Sequence, residues 1–312
     1  MAEFKHVSVL APECIEGLCI DPSGIYVDGT VGGGGHSALI AEKLRSPGRL
    51  ICIDRDEEAL EAAEKRLAEF EAHITFVRDN FFNLRSILDS LIIGKISGCL
   101  LDLGVSSRHL DEPSRGFSFL NEGSLDMRMD RRGSLTAFDV INSYDEERLK
   151  KIFADYGEER YAGRVARAVA IARADKPIMG TLELAEIVSK AIPRGSWEPN
   201  KHPATRVFQA LRIEVNSELE GLGQALEDAA LNLRPGGRLC VITFHSLEDR
   251  IAKTLFKNLA SGCDCSKNMP YCVCGKVPAA KIITKKPIIP AAAEVLENPR
   301  ARSAKLRILE KI

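Results

Sequence analysis

Residues 28–37 read DGTVGGGGHS. Four consecutive glycines exclude a helix or strand interior, because glycine loses the most backbone freedom on ordering and offers no side chain to pack. The stretch is a turn where the backbone must be bare. Before it runs the short apolar segment GIYVDGT (24–30), punctuated by Pro22 and Gly24; after it, HSALIAEKL places Ala38, Leu39, Ala41 and Leu44 at helical spacing. Working outward, GRLICIDRD predicts a second buried strand, EEALEAAEKRLAEF a helix, HITFVRDN a third strand, FFNLRSILDSL a third helix and ISGCLLDLGVSS a fourth strand. Strands alternating with helices of this length imply βαβ units and a parallel sheet.

The rhythm breaks after Ser107. As far as Val215 there are only helical stretches, among them EERLKKIFADYG, EERYAGRVARAVAIARA and TLELAEIVSKAI. It resumes with LEGLGQALEDAALNLRPGG, a helix expected to close on Pro-Gly-Gly, the strand RLCVITFH, the helix LEDRIAKTLFKNLA, and two candidate strands, KIITKKPIIP and AKLRILEKI. The expected architecture is an α/β, Rossmann-like domain formed by residues 1–107 and 216–312, interrupted by a mostly α-helical domain at 108–215.

The chain of 312 residues is 45% hydrophobic and 28% charged, ordinary globular composition. No apolar run approaches the ~20 residues a membrane span needs, and the N-terminal MAEFKHVSVLAPECIEGLCI lacks the pattern of a secretory signal. Nine cysteines, five of them isolated, suit reduced thiols and a cytoplasmic setting better than a disulfide framework. Net charge is only −1, yet it is segregated: residues 160–215 carry ten Lys/Arg against five Asp/Glu, and residues 267–312 carry ten against three. Such segregation presents basic faces to phosphates on a nearly neutral molecule, or reflects solvated lysines alone.

A glycine loop between the first strand and first helix is the ligand position of a doubly wound sheet. GGGHSA satisfies G-x-G-x-x-A, so a nicotinamide dinucleotide must be weighed. Asp28 argues against it: a carboxylate immediately before the loop repels a pyrophosphate, whereas S-adenosylmethionine (SAM) carries a sulfonium and an ammonium that a carboxylate favours. Asp54, ~20 residues beyond the loop, stands where an acid meets ribose hydroxyls. Asp102 ends the fourth strand, so acids end three of the first four strands. Phe81, just after the third strand, is placed to stack on an adenine or simply to fill the core.

The motifs DGTVGGGGHS, IDRD, LLDLGVSS, RGFSF, LDMRMD, YGEER, KHPATRVFQALRIEVNSEL, FHSLEDR and ENPRARSAKLR together resemble the bacterial 16S rRNA (cytosine-N4) methyltransferase family, RsmH or MraW, essentially end to end. The resemblance implies SAM-dependent methylation of the exocyclic N4 of a cytidine in the decoding region of small-subunit rRNA, by a methyltransferase domain carrying a helical substrate domain. It carries cofactor contacts onto Gly34, Gly35, His36, Asp54, Phe81 and Asp102. His109 in SSRHLD stands where the family typically has glutamine; a neutral histidine still donates one hydrogen bond there.

Methylating an amino nitrogen needs close positioning and an acceptor for the proton lost. A C5-directed enzyme would use a cysteine nucleophile, commonly after proline, and no Pro-Cys pair occurs. The (D/N/S)-P-P-(Y/F) motif of many amino-methyltransferases is also missing, with DLGV in its place, so Asp102 becomes the residue to orient the amine, the cofactor or both. His245 and Ser246, following the fifth strand, are candidates to contact the target base; alternatively Ser246 is a helix N-cap with Asp249 three residues on. Arg160, Arg164 and Arg167 are expected on one helical face and, with Lys201, His202 and Arg206 of KHPATR, to meet rRNA phosphates. Cys263, Cys265, Cys272 and Cys274, spaced C-x-C…C-x-C, are candidates for a structural zinc, with reduced surface thiols or redox pairing as alternatives.

Overall fold

The computed structural model describes residues 8–70, 72–199, 201–265 and 271–312. They form two compact units, Met1–Gly104 with Gly221–Ile312, and Val105–Glu220.

The first unit is built on seven strands: β1 (Ile25–Asp28), β2 (Arg49–Asp54), β3 (His73–Arg78), β4 (Ile96–Asp102), β5 (Leu233–Thr243), β6 (Ala280–Ile282) and β7 (Lys305–Lys311). Their order across the sheet is β3-β2-β1-β4-β5-β7-β6. The first five run parallel, whereas β7 is antiparallel to both β5 and β6, a departure from the all-parallel expectation. β2 and β4 are buried almost throughout and read as continuous apolar runs, as central parallel strands must. Edge strand β3 is only half buried. On one face Tyr26, Leu50, Cys52, Leu100 and Ile242 pack with Ile40 and Leu60 from the helices that follow β1 and β2. Each such aliphatic side chain contributes about 1.5–3 kcal/mol. The helix Glu57–Leu67 starts where Asp56 accepts the Glu58 N–H at 3.1 Å, with acids in its first turn and Lys65 and Arg66 in its last, matching the helix dipole.

One helix end and one strand predicted from the sequence are corrected. Pro-Gly-Gly does not close the helix, which ends at Asn232; residues 234–237 instead bulge out of β5 between the pairs Ile96–Leu233 and Gly98–Arg238. Of KIITKKPIIP only the start forms β6, because Pro287 and Pro290 cannot donate to a ladder; beyond it one bridge joins Ile288 to Leu306.

The second unit contains the helices Ala137–Ser143, Glu146–Asp155, Ala162–Asp175, Thr181–Ala191 and Thr205–Asn216, the short turn of helix Ser107–Asp111 and, among the described residues, no named strand. Its core gathers Val140, Leu149, Phe153, Val169, Leu184 and Leu211, all with no more than a trace of exposure. The units divide a few residues away from the sequence-derived boundaries at 107/108 and 215/216. Asn216 shows why: its amide donates to the Met127 carbonyl at 2.7 Å and accepts the Met129 N–H at 2.8 Å, tying the helix end into the second unit.

Candidate active site

In the order β3-β2-β1-β4-β5 the chain reverses direction across the sheet at β1, and ligands of open α/β sheets lie outside the strand C-termini at such a switch point. Register shapes the crevice. Asp28, the last residue of β1, pairs with Cys52 and Leu100, so β2 and β4 each project two residues further, to Asp54 and Asp102.

The three acids have different tasks. Asp28 is fully buried and turned inward: it accepts from the Ser37 hydroxyl at 2.6 Å and the Thr30 N–H at 3.2 Å. Burial raises its carboxyl to about 6. Asp28 therefore locks the glycine loop to the helix Gly35–Lys43 and does not offer the open carboxylate the sequence reading gave it. Ser37→Ala removes one of its two partners and is expected to cost about 1–3 kcal/mol, measured by urea unfolding. An unchanged midpoint would show the bond to be dispensable.

Asp54 accepts from the Gly32 N–H and the Asp56 N–H, both at 2.9 Å. Gly32, not singled out from the sequence, has φ +49°, and a Cβ there would enter nearly open space. It is the loop position open to a ligand. Gly34, at φ +74°, caps the helix against Ala63, and a Cβ on Gly35 would strike the Ser8 hydroxyl, so these two glycines answer to packing within the chain.

Asp102 is the acid left available. Its backbone N–H donates to the Thr30 hydroxyl at 2.7 Å, fixing the end of β4 to the loop, while its Oδ1 has no hydrogen-bond partner among the described residues. Burial, then the charges of Asp28 and Glu248, push its carboxyl up to about 8. His36 stands beside it, Nδ1 3.8 Å from Oδ2. The Val9 carbonyl accepts from His36 Nε2 at 2.9 Å, so the proton sits on Nε2 and the Nδ1 lone pair faces Asp102. Burial lowers His36 to about 4, keeping it neutral. Phe81 lies against the loop, its Cβ 3.1 Å from the position a Cβ on Gly29 would take, with its ring edge-on to Phe82 at 4.8 Å.

After β5, the predicted cap at Ser246 is corrected. His245 is the N-cap of the helix Ser246–Ala260 and closes a capping box with Glu248, whose carboxylate accepts the Phe244 N–H at 2.9 Å and lies 3.0 Å from His245 Nε2. Asp249 instead pairs with Arg307 at 2.7 Å. Ser246 is exposed at the same sheet edge. Gly34, Gly35, His36, Asp54, Phe81, Asp102, His245 and Ser246 thus all belong to the C-terminal edge of the parallel strands. The four cysteines follow the far end of that last helix and precede β6, which places them at the opposite edge.

In the second unit, His109 closes a capping box with Ser106 and stacks on Phe117 at 4.8 Å. Glutamine at N3 can serve such a box as well, which gives a structural reason for this histidine. Arg160 lies outside the helix Ala162–Asp175, so only Arg164 and Arg167 share its exposed face. Among the described residues neither forms an ion pair. Arg160, Lys201, His202 and Arg206 line a cleft of about 410 Å³ with Tyr161 and Trp197. Arg206 pairs with Glu198 and donates to the Glu158 carbonyl, and it holds the Glu198 carboxyl below its usual range. Lys201 lies 3.8 Å from the same carboxylate. This basic cluster is therefore partly neutralised from within.

A doubly wound domain with a bare loop and an unpaired acid at its switch point is the framework of an enzyme that binds a small cofactor. The comparisons agree. The model of the MraW methylase family matches residues 3–312. A ribosomal RNA small subunit methyltransferase H of Clostridioides difficile is 51% identical over 310 residues, spanning 99% of this chain and all of that protein. One of Clostridium botulinum is 52% identical over the same shares. The solved structure of an rRNA methylase from Streptococcus thermophilus matches loosely, with 14% identity and a TM-score of 0.40 over 97% of this chain and 93% of that one, too distant to transfer any residue's role. This chain belongs to the MraW methylase family and is a methyltransferase.

Proposed function

We propose that this methyltransferase uses SAM to methylate the exocyclic N4 of a cytidine in the decoding region of 16S rRNA, acting in the cytoplasm on the small ribosomal subunit. The observation that carries the reading is Asp102, a raised carboxyl with an unpartnered oxygen at the switch point, beside a loop open at Gly32. The relatives' names supply the rRNA.

A cationic cofactor fits this edge: among the described residues no positive charge compensates Asp102, His36 is neutral, and Asp54 holds the loop backbone in place. SAM, when bound, supplies an electrophilic methyl group. Asp102 accepts a hydrogen bond from the target amino group and takes the proton that the nitrogen gives up as its bond to the methyl carbon forms. Burial and the neighbouring acids raise the proton affinity of Asp102, so once it is ionised beside the cofactor's positive charge the carboxylate is a competent proton acceptor. His36, with its proton on Nε2 toward the Val9 carbonyl, stands neutral beside the Asp102 carboxyl and adds no competing positive charge. The target base leaves its stack to reach this edge. Arg160, Arg164, Arg167, Lys201, His202 and Arg206 bind rRNA phosphates, making residues 105–220 the substrate-recognition unit.

The test is methyl transfer from labelled SAM to small subunits lacking the modification, with nucleosides identified after digestion. Label in N4-methylcytidine is expected. Label in a different nucleoside, or no label with SAM bound normally, would contradict the assignment of this target. Within that assay Ser246→Ala is expected to lower kcat/KM by more than any change in Tm accounts for, because Ser246 is exposed and is not the cap. His245→Ala should lower both, the lost cap alone costing about 1 kcal/mol. A wild-type rate in either variant removes that residue from base contact.

A further inference from the structure

We propose that Cys263, Cys265, Cys272 and Cys274 bind one structural zinc ion at the sheet edge opposite the methyl-transfer site. Their sulfurs converge: Cys263 to Cys272 is 3.5 Å, Cys272 to Cys274 3.6 Å and Cys263 to Cys274 3.8 Å, and all four lie within 4.8 Å of one another. A tetrahedral ion with zinc–sulfur bonds of about 2.3 Å sets sulfur–sulfur edges of about 3.8 Å. A disulfide would bring two sulfurs to about 2.05 Å. An iron–sulfur cluster would spread its ligands across several atoms, wider than this group allows.

The backbone is arranged for thiolates. Sulfurs receive N–H groups from Asp264 (to Cys274), Cys265 (to Cys263) and Val273 (to Cys265), each at 3.4 Å. After Cys274 the chain turns through Gly275 at φ +61°, which returns the Lys276 N–H to the Cys274 sulfur. Such outer bonds orient metal ligands and offset their charge. Among the described residues of the segment, burial does little to fix the sulfurs: Tyr271, Val273 and Val277 are 81%, 73% and 78% exposed. A bound ion supplies the missing order, as it does in small metal modules. Three of the four cysteines are exposed, where redox-inert zinc persists and a ferrous tetrathiolate would be oxidised. The ion ties the end of the helix Ser246–Ala260 to the start of edge strand β6.

Elemental analysis of the whole protein, purified under reducing conditions without chelator, is expected to find about one zinc per chain. Cys272→Ser with Cys274→Ser should lose it. Wild-type protein stripped of metal should take up about one cobalt ion with the absorption of a tetrahedral tetrathiolate, which keeps the test valid if the double variant misfolds. Iron in place of zinc, a disulfide, or reduced thiols that take up no metal would each overturn the proposal. None of these readouts depends on methyl transfer.

Discussion

Asp102→Asn is expected to reduce methyl transfer by at least about a hundredfold while making the protein without cofactor more stable at alkaline pH. Both effects follow from one carboxyl. In the folded protein it titrates at about 8 against an ordinary 3.8, so the folded state holds its proton more tightly than the unfolded chain does. The stability from that proton is fully present below about pH 4 and is lost as pH rises through 8. Asparagine has no such dependence. At pH 8.5 the variant should gain on the order of 5 kcal/mol, at about 1.4 kcal/mol for each pH unit between 3.8 and 8, and at pH 4 close to nothing. Urea unfolding at the two pH values, with single-turnover methyl transfer, reads both. Loss of rate together with loss of stability at pH 8.5 would make Asp102 an ordinary structural acid.

Arg164→Glu with Arg167→Glu should weaken binding to the small subunit by roughly tenfold or more at moderate salt, because two phosphate contacts become repulsive. The slope of log affinity against log salt should flatten by about 1.4–1.8, at 0.7–0.9 per contact. Both residues are exposed on the helix Ala162–Asp175, whose buried face is Val165, Ala166 and Val169, so the fold should tolerate the change. KM should rise and kcat hold. Arg206 is a poorer choice, since its pairing with Glu198 gives any loss a second cause. An unchanged salt slope in the double variant would remove this face from the rRNA interface.

The alternation of strands and helices, the loop and the acids at strand ends were legible because each is a local pattern. Asp28, Asp54 and Asp102 do end β1, β2 and β4. Which acid remains available was not legible, because it depends on side chains that meet only after folding. Asp28 is taken up by Ser37, nine residues on and a turn into the next helix, whereas Asp102 finds no such hydroxyl. The cap after β5 failed for a related reason. Ser246 with Asp249 and His245 with Glu248 have the same spacing, but Asp249 pairs with Arg307 of β7 while Glu248 accepts the Phe244 N–H. Arg160 looked continuous with its helix, but the chain reaches Ala162 through a turn with Glu158 at φ +49°. The convergence of four cysteines was a matter of spacing; the N–H groups aimed at their sulfurs were not.

Calorimetry of SAM binding at pH 7, in buffers of different ionisation enthalpy, weighs the role of Asp102 without needing rRNA. A cation placed against a carboxyl that titrates near 8 forces it to ionise. The wild type should therefore release close to one proton more per SAM bound than Asp102→Asn does, with affinity rising up to about tenfold per pH unit and levelling above 8. Equal proton release by the two proteins, at equal affinity, would place the cofactor away from Asp102 and contradict the site described here.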